Sequence, residues 1–268
     1  MPQDLCLIKI GGSIITDIRK QNTPKVKEID RLVKELQKAP PGTRIIVGHG
    51  SGSFAHVPAH KYKIQMGIIN KNSRLGASIT QDAAANLNRI VVQRMIKQGM
   101  NAVSFPPSGG AIARKGKIIA WDLKPLKTAL ENGFVPVVYG DVVPDKEQGV
   151  GIASTEEVFK FIASKLHPQK IVLVTDVDGL LDKDPKMHSD ARLIKKVNGK
   201  NIRRLLAYAK GSKKVDVTGG MHTKLLLLFS LVEKSRATGY IINGSKKGVL
   251  QNLLQKGKLV GTKVVADS

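Results

Sequence analysis

The chain has 268 residues, of which 41% are hydrophobic, and it carries a formal net charge of +23 at pH 7. This length suits one large α/β domain or two small ones, with ample apolar residues for a core. No apolar run approaches the ~20 residues that cross a bilayer, the first residues lack a signal-peptide pattern, and the single cysteine, Cys6, cannot form an intramolecular disulfide. We therefore expect a cytoplasmic protein without a membrane partner.

The basic composition is compatible with two kinds of partner. Nucleic acid is one, because clustered Lys and Arg neutralise phosphates. The cations are instead spread over residues 25–38, 195–204 and 210–214, and aromatic residues make up only 4% of the chain. Positive charge also attracts small phosphorylated molecules. We rank nucleic-acid binding second to the binding of a small anionic substrate.

Apolar runs typical of strands alternate with helical patterns along the chain. The predicted strands are Leu5 to Ile10, Arg44 to Val47, Ala102 to Phe105, Val135 to Tyr139, Lys170 to Val174 and Gly239 to Ile242. The predicted helices cover 26–36, 73–98, 123–130, 156–166, 201–209, 224–233 and 248–254. This order predicts an open, mostly parallel sheet flanked by helices, a three-layer α/β/α sandwich whose ligand sites lie at the carboxyl ends of the strands. No linker divides the chain, so we expect a single domain over 1–268.

Three glycine clusters stand beside predicted strands or helices. They are Lys9 to Ser13, Gly48 to His56, and Asp216 to Lys224. Glycines let the backbone approach a phosphate and point N–H groups at it, although such segments are equally typical of simple turns. In the third cluster, Thr218 would cap a helix and Lys224 would stand one turn inside it. None has Walker or dinucleotide-binding spacing, which disfavours a P-loop kinase or a dehydrogenase.

Five ordered motifs together resemble the amino acid kinase family. They are Gly-Gly-Ser at 11–13, His-Gly-Ser-Gly-Ser-Phe-Ala-His at 49–56, Tyr-Gly-Asp-Val-Val at 139–143, Thr-Asp-Val-Asp-Gly at 175–179 and Asp-Val-Thr-Gly-Gly-Met at 216–221. The histidine loop is similar to that of family members that phosphorylate isopentenyl phosphate or fosfomycin. The resemblance implies the amino acid kinase fold, with an acceptor-binding lobe over about 1–155 and a nucleotide-binding lobe over about 156–268.

The implied reaction is transfer of the γ-phosphoryl of ATP, with Mg²⁺, to isopentenyl phosphate, giving isopentenyl diphosphate for isoprenoid synthesis in an alternative mevalonate pathway. Such a transfer requires two anions held in line and their charge neutralised. Two alternatives stay open: a fosfomycin kinase or another small phosphate or phosphonate kinase, and a catalytically silent homologue that binds nucleotide or nucleic acid. The resemblance also suggests a homodimer formed through the long helix.

The resemblance assigns roles by position in the motifs. The implied catalytic residues are Lys9, His56, Lys224 and Glu156. The implied ATP-binding residues are Lys9, Gly11, Gly12, Ser13, Thr175, Asp176, Asp178, Gly179, Lys183, Gly219, Gly220 and Lys224. The implied acceptor-binding residues are Gly50, Ser51, Gly52, Ser53, His56, Gly140 and Asp141. No residue is assigned as a metal ligand.

Three positions depart from the family pattern. Ala55 replaces a glycine, which would introduce strain if the backbone there has positive φ. Ile18 stands where a lysine is usual, so Arg19 or Lys20 would have to reach the site in its place. Glu156 replaces an aspartate that orients the catalytic lysines and is longer by one methylene.

The acceptor's prenyl tail is expected near the three alanines Ala83 to Ala85 of the long helix. Small side chains there would leave room for a longer tail, such as that of geranyl phosphate. The competing interpretation is that alanines are simply good helix formers.

Overall fold

The computed structural model describes residues 4–182, 188, 190–203, 205 and 216–267, with the backbone alone for 216–222. The strands are β1 (Leu5–Ile10), β2 (Arg44–His49), β3 (Ala102–Ser104), β4 (Ile112–Arg114), β5 (Lys117–Ala120), β6 (Val135–Tyr139), β7 (Asp141–Asp145), β8 (Gly149–Ala153), β9 (Lys170–Thr175), β10 (Lys196–Val197), β11 (Thr238–Asn243) and β12 (Gly261–Val264). The helices are α1 (Gly12–Ile15), α2 (Val26–Leu36), α3 (Gly52–Lys61), α4 (Ser73–Lys97), α5 (Lys124–Glu131), α6 (Thr155–Leu166), α7 (Asp216–Ser235) and α8 (Val249–Lys256). Short 3₁₀ turns cover Ile64–Met66 and Pro107–Gly109.

Eight strands form the large sheet, in the order β10-β12-β11-β9-β1-β2-β6-β3. Neighbouring strands are parallel except at the β11–β12 pair, so β12 and β10 run against the other six. All six predicted strands lie in this sheet, which confirms the predicted mostly parallel α/β arrangement. The predicted helix at 201–209 lies partly outside the described residues.

Alternate residues of β1 face the two layers of helices. Leu5 and Leu7 belong to the core that packs against α5, α6 and α7, whereas Cys6 and Ile8 belong to the core against α2, α4 and α8. Burial raises the pKa of the Cys6 thiol to about 12, so the thiol is uncharged and packs as a small buried hydrophobic residue. Both faces of β1 are covered because each strand of a parallel sheet lies between two helix layers.

The second sheet was not predicted from the sequence. Its four short strands are ordered β5-β4-β7-β8, with antiparallel pairs β4–β5 and β7–β8. Each has only three to five residues, and Pro144 and Gly149 interrupt any strand-like pattern. This sheet matters for the site because β7 begins directly after β6, at the Tyr139-Gly140-Asp141 motif.

No helix among the described residues is long and apolar enough to cross a bilayer.

Candidate phosphate-transfer site

The first two glycine clusters touch each other backbone to backbone. A Cβ atom on Gly12 would lie 2.5 Å from the Gly52 nitrogen and 2.7 Å from its Cα, and one on Gly50 would lie 3.0 Å from the Gly12 nitrogen. Side chains therefore do not fit between the loops at these positions. The contact arises because β1 and β2 are parallel neighbours with Ile10 paired to His49, so both chains leave the sheet at the same edge.

Thr16 holds the two loops together. Its buried hydroxyl donates to the Gly12 carbonyl at 2.8 Å and accepts from the Ser53 N–H at 3.0 Å. The Ser53 hydroxyl is itself buried and has no hydrogen-bond partner among the described residues. A buried hydroxyl without a partner is costly, and a phosphate oxygen bound in this cradle would satisfy it.

Helix α3 begins inside the second cluster rather than after it. Gly52, its first residue, has φ of +49°, which disfavours any residue with a Cβ. Ala55 lies within the helix and has no positive φ, so the strain considered for the alanine at this position is absent. One turn into the helix, His56 lies on its exposed face.

Lys9 is nearly buried and forms an ion pair with Glu156. Odd-numbered residues of β1 face the layer that contains α6, which directs Lys9 toward that helix. Its ammonium donates to the Glu156 Oε1, and the two side chains are 10% and 13% exposed. A surface role for Lys9 is thereby excluded, as the surrounding isoleucines predict.

Helix α6 carries Glu156 in its first turn. The Ser154 hydroxyl caps the helix by accepting from the Glu157 N–H at 3.2 Å. Burial raises the pKa of Glu156, but the charge and hydrogen bond of Lys9 and the charge of Lys224 outweigh it, so the net pKa is lowered. The Glu156 carboxylate therefore pairs directly with Lys9 and also interacts with the charge of Lys224.

His56 lies within the influence of the same charges. Its pKa is lowered first by loss of solvent around the ring and then by the charge of Lys9, with Glu156 opposing. His56 and Lys224 therefore lie near enough to the Lys9–Glu156 ion pair to interact with its charges.

The predicted start of the third cluster's helix is wrong. Helix α7 begins at Asp216, so Thr218 is not its cap, and Gly219 and Gly220 lie within its first two turns. Lys224 lies about two turns from the start instead of one. The sequence is ambiguous here because Asp216, like Thr218, is a residue type favoured at helix starts.

Glu156→Gln is expected to lower turnover about 10- to 100-fold while the protein stays folded. The amide oxygen can still accept a hydrogen bond from Lys9, but the negative charge that orients the lysines is lost. Steady-state kinetics and thermal melting measure the two effects. Unchanged turnover would remove Glu156 from the mechanism.

His49, the other histidine of the loop, is a buried structural residue. Its ring stacks on Tyr139 with centroids 5.6 Å apart, its Nε2 lies 3.1 Å from the Asn88 Nδ2, and its Nδ1 lies 3.2 Å from the Gly50 carbonyl. Asn88 in turn accepts from the Ser104 hydroxyl at 2.5 Å. Desolvation lowers the pKa of His49 to about 4, so the ring is neutral at neutral pH.

The protein is expected to lose stability as pH falls below 6.5, in part through His49. The unfolded chain binds a proton near pH 6.5 and the folded chain only near pH 4, so the contribution is complete above 6.5 and is lost between 6.5 and 4. From pH 7 to pH 5 this amounts to about 2 kcal/mol. Urea unfolding at both pH values should show a smaller loss for His49→Gln than for wild type, and equal losses would contradict the assignment.

The acceptor-side motif is held by the second glycine loop and by a turn. The Ser51 hydroxyl donates to the Gly140 carbonyl at 3.2 Å. Both carboxylate oxygens of Asp141 accept backbone N–H groups, from Ser108 and Val142, each at 2.9 Å. Burial raises the pKa of Asp141, although these hydrogen bonds oppose it. Asp141 thus shapes the loops beside the acceptor position.

The nucleotide-side motif follows β9. Thr175 is buried, and its hydroxyl donates to the Ile242 carbonyl at 3.2 Å. Asp176 is exposed. Gly179 has φ of +134° and packs against Thr262. Asp178 accepts from the Asn243 amide at 2.9 Å and pairs with Lys246 at 2.6 Å, and the Lys246 hydrogen bond lowers its pKa. Lys183 lies outside the described residues.

Several site-forming residues were missed from the sequence. Thr16 and Asn88 support the glycine loops, while Asn243 and Lys246 support Asp178. Only Asn243 carried a usable signal, since it directly follows the predicted strand Gly239 to Ile242, and the carboxyl ends of parallel strands converge. The others depend on contacts between elements far apart in the chain.

The two glycine loops meet at the carboxyl ends of neighbouring parallel strands, next to the buried Lys9. This arrangement is typical of a phosphate-binding protein. The chain belongs to the amino acid kinase family, whose model matches residues 4–243.

Similar proteins and structures within that family include isopentenyl phosphate kinases. The chain is 34% identical to isopentenyl phosphate kinase of Methanothermobacter thermautotrophicus, over 97% of this chain and 98% of that protein. It is also 34% identical to isopentenyl phosphate kinase of Thermoplasma acidophilum, over 90% of this chain and 92% of that protein. A solved X-ray structure of isopentenyl phosphate kinase matches with a TM-score of 0.83 and 30% identity, over 97% of this chain and 100% of that one.

Proposed function

We propose that this protein is a phosphotransferase that moves the γ-phosphoryl of ATP to isopentenyl phosphate, giving isopentenyl diphosphate. The observation that carries the proposal is the backbone contact of the two glycine loops at the carboxyl ends of β1 and β2, with the buried Lys9–Glu156 ion pair on the same strand. The charges of this pair act on His56, and the charge of Lys224 acts on Glu156. The similarity of the chain to isopentenyl phosphate kinases over nearly its whole length supports isopentenyl phosphate as the acceptor. The relatives do not favour a fosfomycin kinase or a silent homologue.

The proposed mechanism relies on positioning and charge. The N–H groups of Gly11, Gly12 and Ser13 approach the ATP phosphates, while Gly50 to Ser53 hold the acceptor phosphate on the other side of the loop contact. Lys9 and Lys224 neutralise the transferring group, and Glu156 keeps both lysines aimed at it. His56 donates an N–H to the acceptor phosphate. The close contact between the loops would bring donor and acceptor into line.

We propose that Mg²⁺ enters with ATP. Among the described residues no group of three or more His, Cys, Asp and Glu side chains is placed to hold a metal ion. Mg²⁺ commonly keeps several waters and binds through substrate phosphates, which fits a site rich in backbone N–H groups and lysines. When bound, the ion would share the neutralisation of the phosphate charge with Lys9 and Lys224.

We further propose that two copies associate through α4 and the edge strand β3. β3 ends the large sheet, Val103 on it is partly exposed, and Ile96 near the end of α4 is 56% exposed. An edge strand without a hydrogen-bonding neighbour, beside exposed apolar side chains, can pair with a second copy of the chain. Light scattering should give twice the chain mass; a monomer would contradict this association.

A cytoplasmic location remains a prediction from the sequence.

The reaction is tested by ADP release from ATP and Mg²⁺ with isopentenyl phosphate, with fosfomycin, and without acceptor. We expect release with isopentenyl phosphate, and at least a 100-fold reduction for His56→Ala, because removing one hydrogen-bond donor to the reacting group typically costs about 10²- to 10³-fold in rate. His60→Ala, on the same helix, serves as the matched control and should retain activity. Release with fosfomycin alone would reassign the acceptor, and release with neither would overturn the proposal.

A further inference from the structure

An apolar and basic surface surrounds a cavity beside the acceptor loop. The cavity, of about 240 Å³, is lined by residues of three elements: the loop after α1 (Gln21, Asn22), α3 (Phe54, Pro58) and α4 (Ile79, Ala83). The loop is tied to α3 by the Asn22 N–H, which donates to the Ser53 carbonyl at 3.3 Å. α3 and α4 meet where Gly76 packs against Tyr62. These contacts place the three elements side by side.

The three elements that line this cavity carry exposed apolar side chains. Ile18 is 70% exposed and Leu75 62%, the two highest values among large hydrophobic side chains in the described ranges. Val57 on α3 and Ile79 on α4 are exposed as well, and Ile79 lines the cavity. Leu75 and Ile79 are about one turn apart on α4. Isolated exposed hydrophobic residues are ordinary, but four of them on the three elements that line one cavity indicate an interaction surface. We call these four residues, together with the exposed cations Arg19, Lys20, Lys61 and Arg74, the rim.

Cations accompany the apolar residues of the rim. They are Arg19, Lys20, Lys61 and Arg74, all exposed. Arg19 pairs with Asp17 at 3.2 Å, whereas Lys20, Lys61 and Arg74 have no carboxylate partner among the residues that the structure describes. Asp82, which lines the cavity and bonds to Asn86, is the nearby acid on α4. Residues 36–81 contain no Asp or Glu, so the rim is positive on balance.

We infer that the rim docks on the surface of an anionic lipid bilayer. Exposed Ile, Leu and Val side chains enter the interface between headgroups and acyl chains, while Lys and Arg face anionic headgroups, the pattern of proteins that lie on membranes without spanning them. The sequence predicted no membrane partner because none of its apolar runs is long enough to cross a bilayer. That criterion detects transmembrane segments but not proteins that lie on the membrane surface. Ile18, where the family usually has lysine, supplies the most exposed apolar side chain.

Docking would place the phosphate-transfer site close to the bilayer. Val57 lies less than two turns from Gly52, the first residue of α3, so the acceptor loop and the rim are close neighbours along that helix. A prenyl phosphate whose tail rests in the bilayer would then reach the acceptor loop without leaving the interface entirely. The docking itself does not depend on which acceptor is phosphorylated.

Sedimentation with vesicles tests the inference, with neither ATP nor acceptor present. Wild type is expected to bind vesicles of phosphatidylcholine with 30% phosphatidylglycerol at about 0.15 M salt, and to bind pure phosphatidylcholine at least tenfold more weakly. Ile18→Gln/Leu75→Gln should weaken binding about tenfold, and Lys61→Gln/Arg74→Gln about 30-fold. The matched controls Ile119→Gln/Val260→Gln and Lys247→Gln/Lys256→Gln, on exposed residues elsewhere, should bind as wild type does.

Three outcomes would overturn docking on a bilayer. They are absence of binding to anionic vesicles, binding that all four variants weaken equally, and a change in oligomer mass in the rim variants, which would assign the rim to a second copy of the chain. An active enzyme that ignores vesicles would contradict only this inference. A vesicle-binding protein that releases no ADP would contradict only the proposed reaction.

Discussion

Replacing Lys9 by methionine is expected to lower turnover about 10³-fold, the largest effect of any single substitution considered for this chain. The ammonium is the positive group at the end of β1 that faces Glu156, and methionine keeps the length of the side chain but not its charge. Glu156 would then present an unpaired negative charge to the anionic phosphates. Single-turnover kinetics with saturating ATP and isopentenyl phosphate would measure the loss.

The same substitution should also destabilise the fold, which needs a control. Removing one member of a buried ion pair typically costs about 3–5 kcal/mol. The double variant Lys9→Met/Glu156→Gln removes both charges, so urea unfolding should recover most of this stability while turnover stays low. Turnover of Lys9→Met within tenfold of wild type would show that Lys9 is a structural residue only.

Gly12→Ala is expected to lower kcat/KM at least 100-fold and stability by about 1–3 kcal/mol. The added methyl group would collide with the Gly52 backbone at 2.5 and 2.7 Å, and backbone cannot rotate away as a side chain can. The two loops would have to separate, and with them the proposed donor and acceptor positions. Kinetics with both substrates and urea unfolding measure the two effects.

Gly110→Ala is the matched control for that substitution. Gly110 has φ of −178°, which any residue adopts, and a Cβ there would meet only the Trp121 side chain at 3.5 and 3.6 Å. It should leave kinetics and stability nearly unchanged. If Gly12→Ala retained kcat/KM within threefold of wild type, the loop contact would not be required for transfer.

The structure separates the two histidines of the histidine loop. The family resemblance assigns His56 to the acceptor phosphate rather than His49, seven residues earlier on the same motif. The fold buries His49 against Tyr139 and Asn88 and leaves His56 beside Lys9 and Glu156. Strand β2 ends at His49 and helix α3 begins at Gly52. His49 therefore lies on a buried strand, and His56 lies on the exposed face of a helix.

The sequence by itself determined six of the eight strands of the large sheet and the glycine loops, because strand periodicity and glycine's backbone freedom are local properties. It also predicted that Lys9 is not a surface lysine, since isoleucines flank it on both sides. The tertiary structure alone decided that Lys9 meets Glu156, 147 residues further along the chain, and that Gly12 touches Gly52. Those contacts follow from the order of β1, β2 and β9 in the sheet and from the packing of α6 across it. Strand order depends on the whole chain's packing, which no local pattern encodes.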